Sequence, residues 1–177
     1  ARLPGDLPAD LADDLTMLAA KSLFKLMAYK DEYEVARLHT ATGFAEHLNA
    51  EFEPGFEVNY HMAPPILSLR KDGRGRPVKR RFGPWLIPVL KVLARGRRLR
   101  GTAFDPFGYT AERREERALI GWYETALDRL APRVTPGNAD TVRRILAAPM
   151  AFRGYGPVKA EAVARAKPEA EELLASF

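Results

Sequence analysis

The sequence predicts a mainly α-helical fold of the α+β class, with about six helices and a small β element. Apolar residues recur at steps of three and four along most of the chain, which is helical spacing. A single short segment near residues 56–80 instead alternates apolar and polar residues, which favours two or three short antiparallel strands. The 177 residues suffice for one core, and we predict a single domain over residues 1–177.

The N-terminal helix is predicted to be the longest. Asp6 and Pro8 mark its start, because an Asp side chain caps helix amides and Pro is tolerated in the first turn. Neither Pro nor Gly then occurs before Gly43. We therefore predict one helix from residue 7 to residue 38, roughly 45 Å long at the usual rise per residue. A short helix over residues 43–52 follows it.

The predicted β element begins with residues 56–62 (FEVNYHM), where apolar and polar side chains alternate. Residues 66–69 (ILSL) follow as a second extended piece. Residues 72–75 (DGRG) predict a turn, and the segment from Pro77 onwards is the expected hairpin partner.

The remaining helices are predicted over residues 84–98, 110–130, 138–148 and from residue 157 onwards. Thr110 is the expected N-cap of the helix over residues 110–130, because its hydroxyl can accept a hydrogen bond from a first-turn amide. Pro168 is expected to break or kink the last one, since proline removes a backbone hydrogen bond. The helix over residues 84–98 has an apolar side made of Trp85, Val89 and Val92. The helix over residues 110–130 has a longer apolar stripe that comprises Leu119, Trp122, Tyr123, Ala126 and Leu130.

Composition excludes several kinds of site. The chain has no cysteine, so it forms no disulfide, thiolate nucleophile or cysteine-ligated iron–sulfur or zinc centre. Its three histidines, His39, His47 and His61, form no H-x-x-x-H pair, and we predict no metal site. The longest apolar run, near residues 85–90, is too short to cross a membrane. We expect a cytoplasmic protein without membrane contact.

Positive charge is concentrated in one stretch. The formal net charge is +5, yet the segment from Arg70 to Arg100 holds 12 Lys and Arg residues against one acid, Asp72, a balance of +11. The rest of the chain has 16 Lys and Arg residues against 22 acids, a balance of −6. Such a segment favours an anionic partner, although a solvated surface explains it equally well.

Six cations are the candidate contacts to a partner or a phosphate, namely Arg80, Arg81, Arg97, Arg98, Arg153 and Lys159. The last two flank a glycine-bearing loop (RGYGPVK, residues 153–159) in which Pro157 opens a helix, and a helix N-terminus attracts anions. A tight connection between helices is the alternative for that loop. Nucleic acid is the less favoured partner, because no recognised nucleic-acid module accompanies the charge.

The other conspicuous residues are interpreted as structural. Asp105 is expected to bind local backbone amides while Phe104, Phe107 and Tyr109 fill gaps in the core. The charged run over residues 112–117 is typical of ion pairing on a helix surface. His61 is the best acid–base candidate by residue type, but a lone His on a strand is usually structural. We predict no catalytic residue and no cofactor-binding residue.

Five segments together resemble a known family. They are residues 25–37 (KLMAYKDEYEVAR), 61–65 (HMAPP), 79–85 (KRRFGPW), 100–117 (RGTAFDPFGYTAERREER) and 153–159 (RGYGPVK). In this order they resemble the C-terminal region of fused indolepyruvate ferredoxin oxidoreductases. Those thiamine-diphosphate enzymes oxidatively decarboxylate arylpyruvates and other 2-oxoacids to acyl-CoA, with ferredoxin as electron acceptor. The resemblance extends from about residue 20 to the end of the chain.

The resemblance implies a noncatalytic structural or docking domain at the C-terminus of such an enzyme. The family's Gly-Asp-Gly motif and its cysteine clusters are absent here, so thiamine diphosphate, iron–sulfur clusters and CoA are expected in the parent enzyme. The expected partners are the preceding catalytic domains of the same polypeptide, with ferredoxin or CoA as further candidates. The alternative is an independent basic helical protein that binds nucleic acid or another polyanion.

Overall fold

A computed structural model describes residues 2–63, 72–73 and 78–177 and confirms the predicted mainly α-helical class with a small β element. The helices in this part of the chain are α1 (Ala9–Met27), α2 (Glu32–Thr40), α3 (Phe44–Glu51), α4 (Leu86–Arg95), α5 (Ala111–Leu130), α6 (Ala139–Ala147) and α7 (Pro157–Ala175). The strands are β1 (Tyr60–Met62) and β2 (Arg80–Phe82). The predicted extended piece at 66–69, and residues 74 and 75 of the predicted turn, lie outside the described residues.

The chain forms two compact units. Unit 1 consists of Ala1–Tyr29 and Arg114–Phe177, and unit 2 consists of Lys30–Arg113. Each unit has its own cluster of buried apolar side chains. The single domain over residues 1–177 remains a prediction.

The core of unit 1 is built from the apolar faces of its helices. The predicted stripe on α5 is confirmed, since Leu119, Tyr123, Ala126 and Leu130 are buried and Trp122 packs against them. The Tyr123 hydroxyl donates a hydrogen bond to the Leu146 carbonyl over 2.9 Å, which satisfies both buried polar groups. The helix predicted near residues 138–148 is also confirmed, because α6 contributes Val142, Ile145 and Leu146 to this core.

The predicted helix over residues 7–38 is wrong in its length. α1 ends at Met27 and α2 begins at Glu32, with Ala28 as the C-cap of the first helix. Asp31 adopts an extended backbone, and its side chain accepts from the Glu34 amide over 2.8 Å. A buried N-cap of this kind starts a new helix. The helical spacing of apolar residues continues across this boundary without proline or glycine, so the sequence did not indicate that α2 starts separately after Asp31.

Two further details concern α7 and α4. Pro168 does not break α7, which continues through it to Ala175, and both Pro168 and Ala164, whose carbonyl loses its amide partner, are exposed to solvent. On α4 the predicted apolar side of Trp85, Val89 and Val92 is exposed. The buried residues of α4 are instead Leu86 and Leu90.

Unit 2 depends on the packing of α2 against α4. Ala36 of α2 is fully buried in a cluster with Leu86 and Leu90 of α4. A Cβ atom on Gly96, just after α4, would lie 3.0 Å from Cε1 of Tyr33, so a larger residue there would require the Tyr33 ring to shift. The ladder of β1 and β2 adds Tyr60 paired with Phe82, both buried in the same cluster.

Asp105 ties the loop before α5 to α2. Its carboxylate is buried and accepts from the Tyr33 hydroxyl over 3.1 Å and from the amides of Gly101 and Phe107 over 3.0 and 3.2 Å. Burial alone would raise the pKa of Asp105, but these bonds and the Gly108 amide hold it below its ordinary value. Burial, followed by the bond to Asp105, raises the pKa of Tyr33 to about 12. The prediction that Asp105 binds local amides is confirmed.

The same region corrects two other predictions. Phe107 packs edge-on against Tyr33, but Phe104 and Tyr109 fill no core gap, since they are 81% and 63% exposed. Within residues 112–117, Arg113 and Glu116 are buried rather than at the surface. Arg113 lies 3.6 Å from Glu32, and Glu116 pairs with Lys159. The predicted cap of α5 is confirmed, because Thr110 accepts from the Arg113 amide over 3.3 Å.

None of the helices in the described part of the chain is both long enough and apolar enough to cross a membrane.

Replacement of Asp31 by Ala should lower the free energy of unfolding by about 1–2 kcal/mol, because α2 loses its N-cap. The loss of the ion pair between Asp31 and Arg100, whose atoms lie 2.6 Å apart, adds to this effect. Urea denaturation measures the difference. The control is Asp13→Ala on the exposed side of α1, which should stay within about 0.5 kcal/mol of the parent chain. Equal effects of both substitutions would contradict the capping role.

Replacement of Asp105 by Asn should destabilise the chain at pH 7 by about 1–3 kcal/mol, because an amide cannot satisfy the donors that face this carboxylate. A depressed pKa means that the charged group stabilises the fold above its unfolded pKa of about 3.9 and loses this effect as the pH falls. The difference between variant and parent in urea denaturation should therefore shrink below about pH 4. A difference that stays constant down to acid pH would contradict the account.

Candidate functional site

A groove with a strongly cationic lining lies on unit 2. It has a volume of about 670 Å³ and is called the cationic groove here. Its lining residues are Arg37, Thr40, Ala41, Lys91, Ala94, Arg95, Arg97 and Arg98. Five of these eight side chains carry a positive charge and none carries a negative charge. A concave surface of this kind attracts anions, because its field is focused by the surrounding protein.

The packing of α2 on α4 explains how these cations come together. Lys91 and Arg95 lie four residues apart on α4 and therefore on one side of that helix. Arg97 and Arg98 follow in a 3₁₀ turn, Gly96–Leu99. Arg37 projects from α2 across the groove. The buried apolar contacts of the two helices thus leave their polar sides facing the same space.

Two acids near the groove, Asp31 and Glu34, are already paired with arginines. Glu34 accepts two hydrogen bonds from Arg37, over 2.9 and 2.7 Å. These bonds lower the pKa of Glu34 below its ordinary value, and the charges of Arg100 and Arg97 act in the same direction. Asp31 pairs with Arg100.

The other cations of the groove lack such partners. In the described part of the chain no ion pair involves Lys91, Arg95, Arg97 or Arg98, and all four side chains are exposed. The groove therefore presents four cations that form no ion pair within the described residues, and an anionic ligand could bind them.

A second groove, of about 580 Å³, adjoins the cationic groove and shares Thr40, Ala41 and Lys91 with it. We call it the aromatic groove. His39 forms its wall together with Phe44 and Tyr60, with ring centroids 5.4 and 5.3 Å from that of His39. Burial lowers the pKa of His39 and raises that of Tyr60, which favours the uncharged form of both rings. Two acids, Glu46 and Glu57, also line this groove.

The structure brings only two of the six predicted contact residues into the cationic groove, Arg97 and Arg98. Arg80 and Arg81 lie on β2, where both are exposed, and Arg81 donates a hydrogen bond to the Asn59 side chain over 2.9 Å. Four further cations of the basic segment, Arg70, Lys71, Arg74 and Arg76, lie outside the described residues.

The remaining predicted contacts, Arg153 and Lys159, belong to unit 1. Arg153 is exposed, whereas Lys159 is mostly buried and already paired with Glu116. Both lie near Lys25, whose pKa is lowered first by burial and then by these two positive charges. Lys25 donates to the carbonyls of Pro149 and Met150 over 2.7 and 2.8 Å. Much of the hydrogen-bonding capacity of this cluster is therefore used within the protein.

The remaining sequence candidates join neither groove. His61 is exposed on β1, opposite Arg81 in the ladder. The turn over residues 72–75 is only partly described. Across residues 2–63, 72–73 and 78–177, no group of three His, Asp or Glu side chains is placed to hold a metal ion.

Sequence reasoning missed Arg37 and the aromatic wall. Lys91 and Arg95 were counted in the basic segment, but the sequence analysis did not single them out as contact residues. Arg37 and His39 lie more than fifty residues earlier, and only the packing of α2 on α4 brings them to the site. No local pattern encodes such a long-range contact.

Comparison with known proteins gives one match. A family model, described as a family of unknown function (DUF6537), matches residues 5–172. No curated protein and no solved structure matches the chain. The match covers almost the whole sequence, both units and both grooves. The chain therefore belongs to the DUF6537 family, a family of unknown function.

Proposed function

We propose that this chain is a noncatalytic structural and docking domain of an indolepyruvate ferredoxin oxidoreductase. In this proposal the preceding domains of the polypeptide hold thiamine diphosphate and the iron–sulfur clusters and decarboxylate the arylpyruvate. The resemblance of five segments supports the parent enzyme. A cytoplasmic location is part of the proposal, and a chain without cysteine is compatible with a reducing compartment.

The cationic groove is the observation that supports a docking role. Four of its cations have no carboxylate partner in the described part of the chain, so an approaching anion is not in competition with internal ion pairs. The resemblance implies an acidic ferredoxin as electron acceptor, and opposite charges on the groove and on such a partner steer the two into contact. CoA, with its phosphates, is the other anionic candidate implied by the parent enzyme.

A second candidate function is an independent protein that binds nucleic acid or another polyanion. The balance of +11 over residues 70–100 favours it. It predicts tight binding of DNA or RNA that weakens steeply as salt rises, because counterions are released from the phosphates. Weak binding that disappears at physiological salt would argue against this candidate.

Reversal of Arg97 and Arg98 to Glu in the full polypeptide should raise the KM for ferredoxin about ten-fold at low salt, because the groove loses its attraction for an acidic partner. The effect should shrink at high ionic strength, where charges are screened. Steady-state kinetics with purified ferredoxin measure it. The matched control reverses Lys21 and Arg165, two exposed cations of unit 1, and should leave the KM unchanged. Equal KM values for all three proteins would contradict docking at this groove.

The isolated 177-residue chain should show no oxidation of arylpyruvates, because in this proposal the reacting cofactors bind to other domains. The assay supplies thiamine diphosphate, CoA and a redox dye, and the complete polypeptide serves as the positive control. Measurable turnover by the isolated chain would overturn the noncatalytic assignment.

A further inference from the structure

We infer that the cationic groove and the aromatic groove together form one binding site for a nucleoside phosphate. The phosphates would lie in the cationic groove and the base against the aromatic wall. This inference goes beyond the docking role, because it assigns a small-molecule site to residues on the surface of unit 2. It rests on the three residues that line both grooves, Thr40, Ala41 and Lys91.

The phosphate end is defined by charge. Lys91 and Arg95 extend from α4, and Arg97 and Arg98 extend from the turn that follows it. Guanidinium groups bind phosphate oxygens through paired hydrogen bonds, and an ammonium group binds them as a compact charge. A ligand with two phosphates would satisfy several of these donors, which no carboxylate occupies in the described part of the chain.

The base end is defined by an aromatic and apolar lining. Phe44 and Tyr60 each meet His39 edge to face, and these three rings line the aromatic groove together with Phe56 and Ile87. Nucleobases stack on aromatic side chains of this kind. A lone inorganic anion would leave this surface unused.

Two acids set the orientation of the ligand. Glu46 and Glu57 line the aromatic groove, where they repel phosphate and can accept a hydrogen bond from an exocyclic amino group. The Thr40 hydroxyl lies between the two ends and donates to the Ala36 carbonyl over 2.8 Å. Its oxygen can therefore only accept, which suits a ribose hydroxyl rather than a phosphate. The site thus favours a nucleotide whose base carries an amino group.

The sizes of the grooves fit such a ligand. Pockets for small molecules usually measure about 300–1,000 Å³. The two grooves, at about 670 and 580 Å³, are each of this size, and Lys91 lines both of them. An acidic peptide would fill the cationic groove and gain little from the aromatic wall.

Calorimetric titration of the 177-residue chain with ADP, pyrophosphate and adenosine tests the site. ADP should bind best, with adenosine and pyrophosphate each at least about ten-fold weaker, because each occupies one groove only. Absence of ADP binding would overturn the inference. Pyrophosphate that binds as tightly as ADP would overturn it too, since the aromatic groove would then contribute nothing.

Three variants locate the ligand within the site. Arg95→Gln should weaken ADP and pyrophosphate alike, Phe44→Leu should weaken ADP and adenosine alone, and Lys91→Gln should weaken all phosphate ligands, each by about ten-fold. Phe44 packs on the core, so Phe56→Leu, at a more exposed position of the same groove, is the second variant for the base end. Lys21→Gln on α1 is the matched control and should bind ADP as the parent chain does.

A titration with an oligonucleotide distinguishes a nucleotide site from a nucleic-acid site. A single-stranded oligonucleotide of about 15 residues that binds a hundred-fold more tightly than ADP, with a steep salt dependence, would identify a polyanion surface and overturn the inference. Each of these outcomes is independent of the KM for ferredoxin. A failure of the nucleotide site therefore leaves the docking proposal to its own test.

Discussion

The packing of α2 against α4 is the interaction on which unit 2 depends, and the acidic start of α2 adds ion pairs to it. Asp31 pairs with Arg100, Glu34 with Arg37, and Glu32 lies beside Arg113. Three carboxylates of one short segment thereby meet arginines from α2, from the turn after α4 and from the start of α5. Acids in this position also complement the positive end of the helix. The other cations of α4 and its following turn form no ion pair within the described residues, and they line the cationic groove.

The buried contacts around this turn explain why the groove has a defined shape. Tyr33 packs against Gly96 and donates to Asp105, which in turn accepts from the backbone of the loop before α5. A Cβ atom on Gly108 would lie only 2.8 Å from the carboxylate of Asp105, so this loop closes around the buried charge only with glycine there. The ends of α2 and α4 are thus fixed by polar contacts, while Ala36 and Leu90 fill the space between them.

The sequence predicted what depends on local periodicity and missed what depends on distant contacts. The stripe on α5 and the extent of α6 followed from spacing, because one side of each helix is buried. The boundary at Asp31 was missed since a polar cap can interrupt a helix without any proline or glycine. The basic segment was recognised by its charge, yet the members that line the groove and those that do not look alike in sequence. Arg37 and the aromatic wall required the packing of α2 on α4.

We propose that α2, α4 and the turn after α4 form an anion-binding site. Amide hydrogen exchange over the whole chain, with and without saturating ADP, tests this proposal. The account predicts slower exchange in α2, in α4 and in the Gly96–Leu99 turn, with no change in α6 or α7. Unchanged exchange in α2 and α4, or protection confined to unit 1, would contradict it.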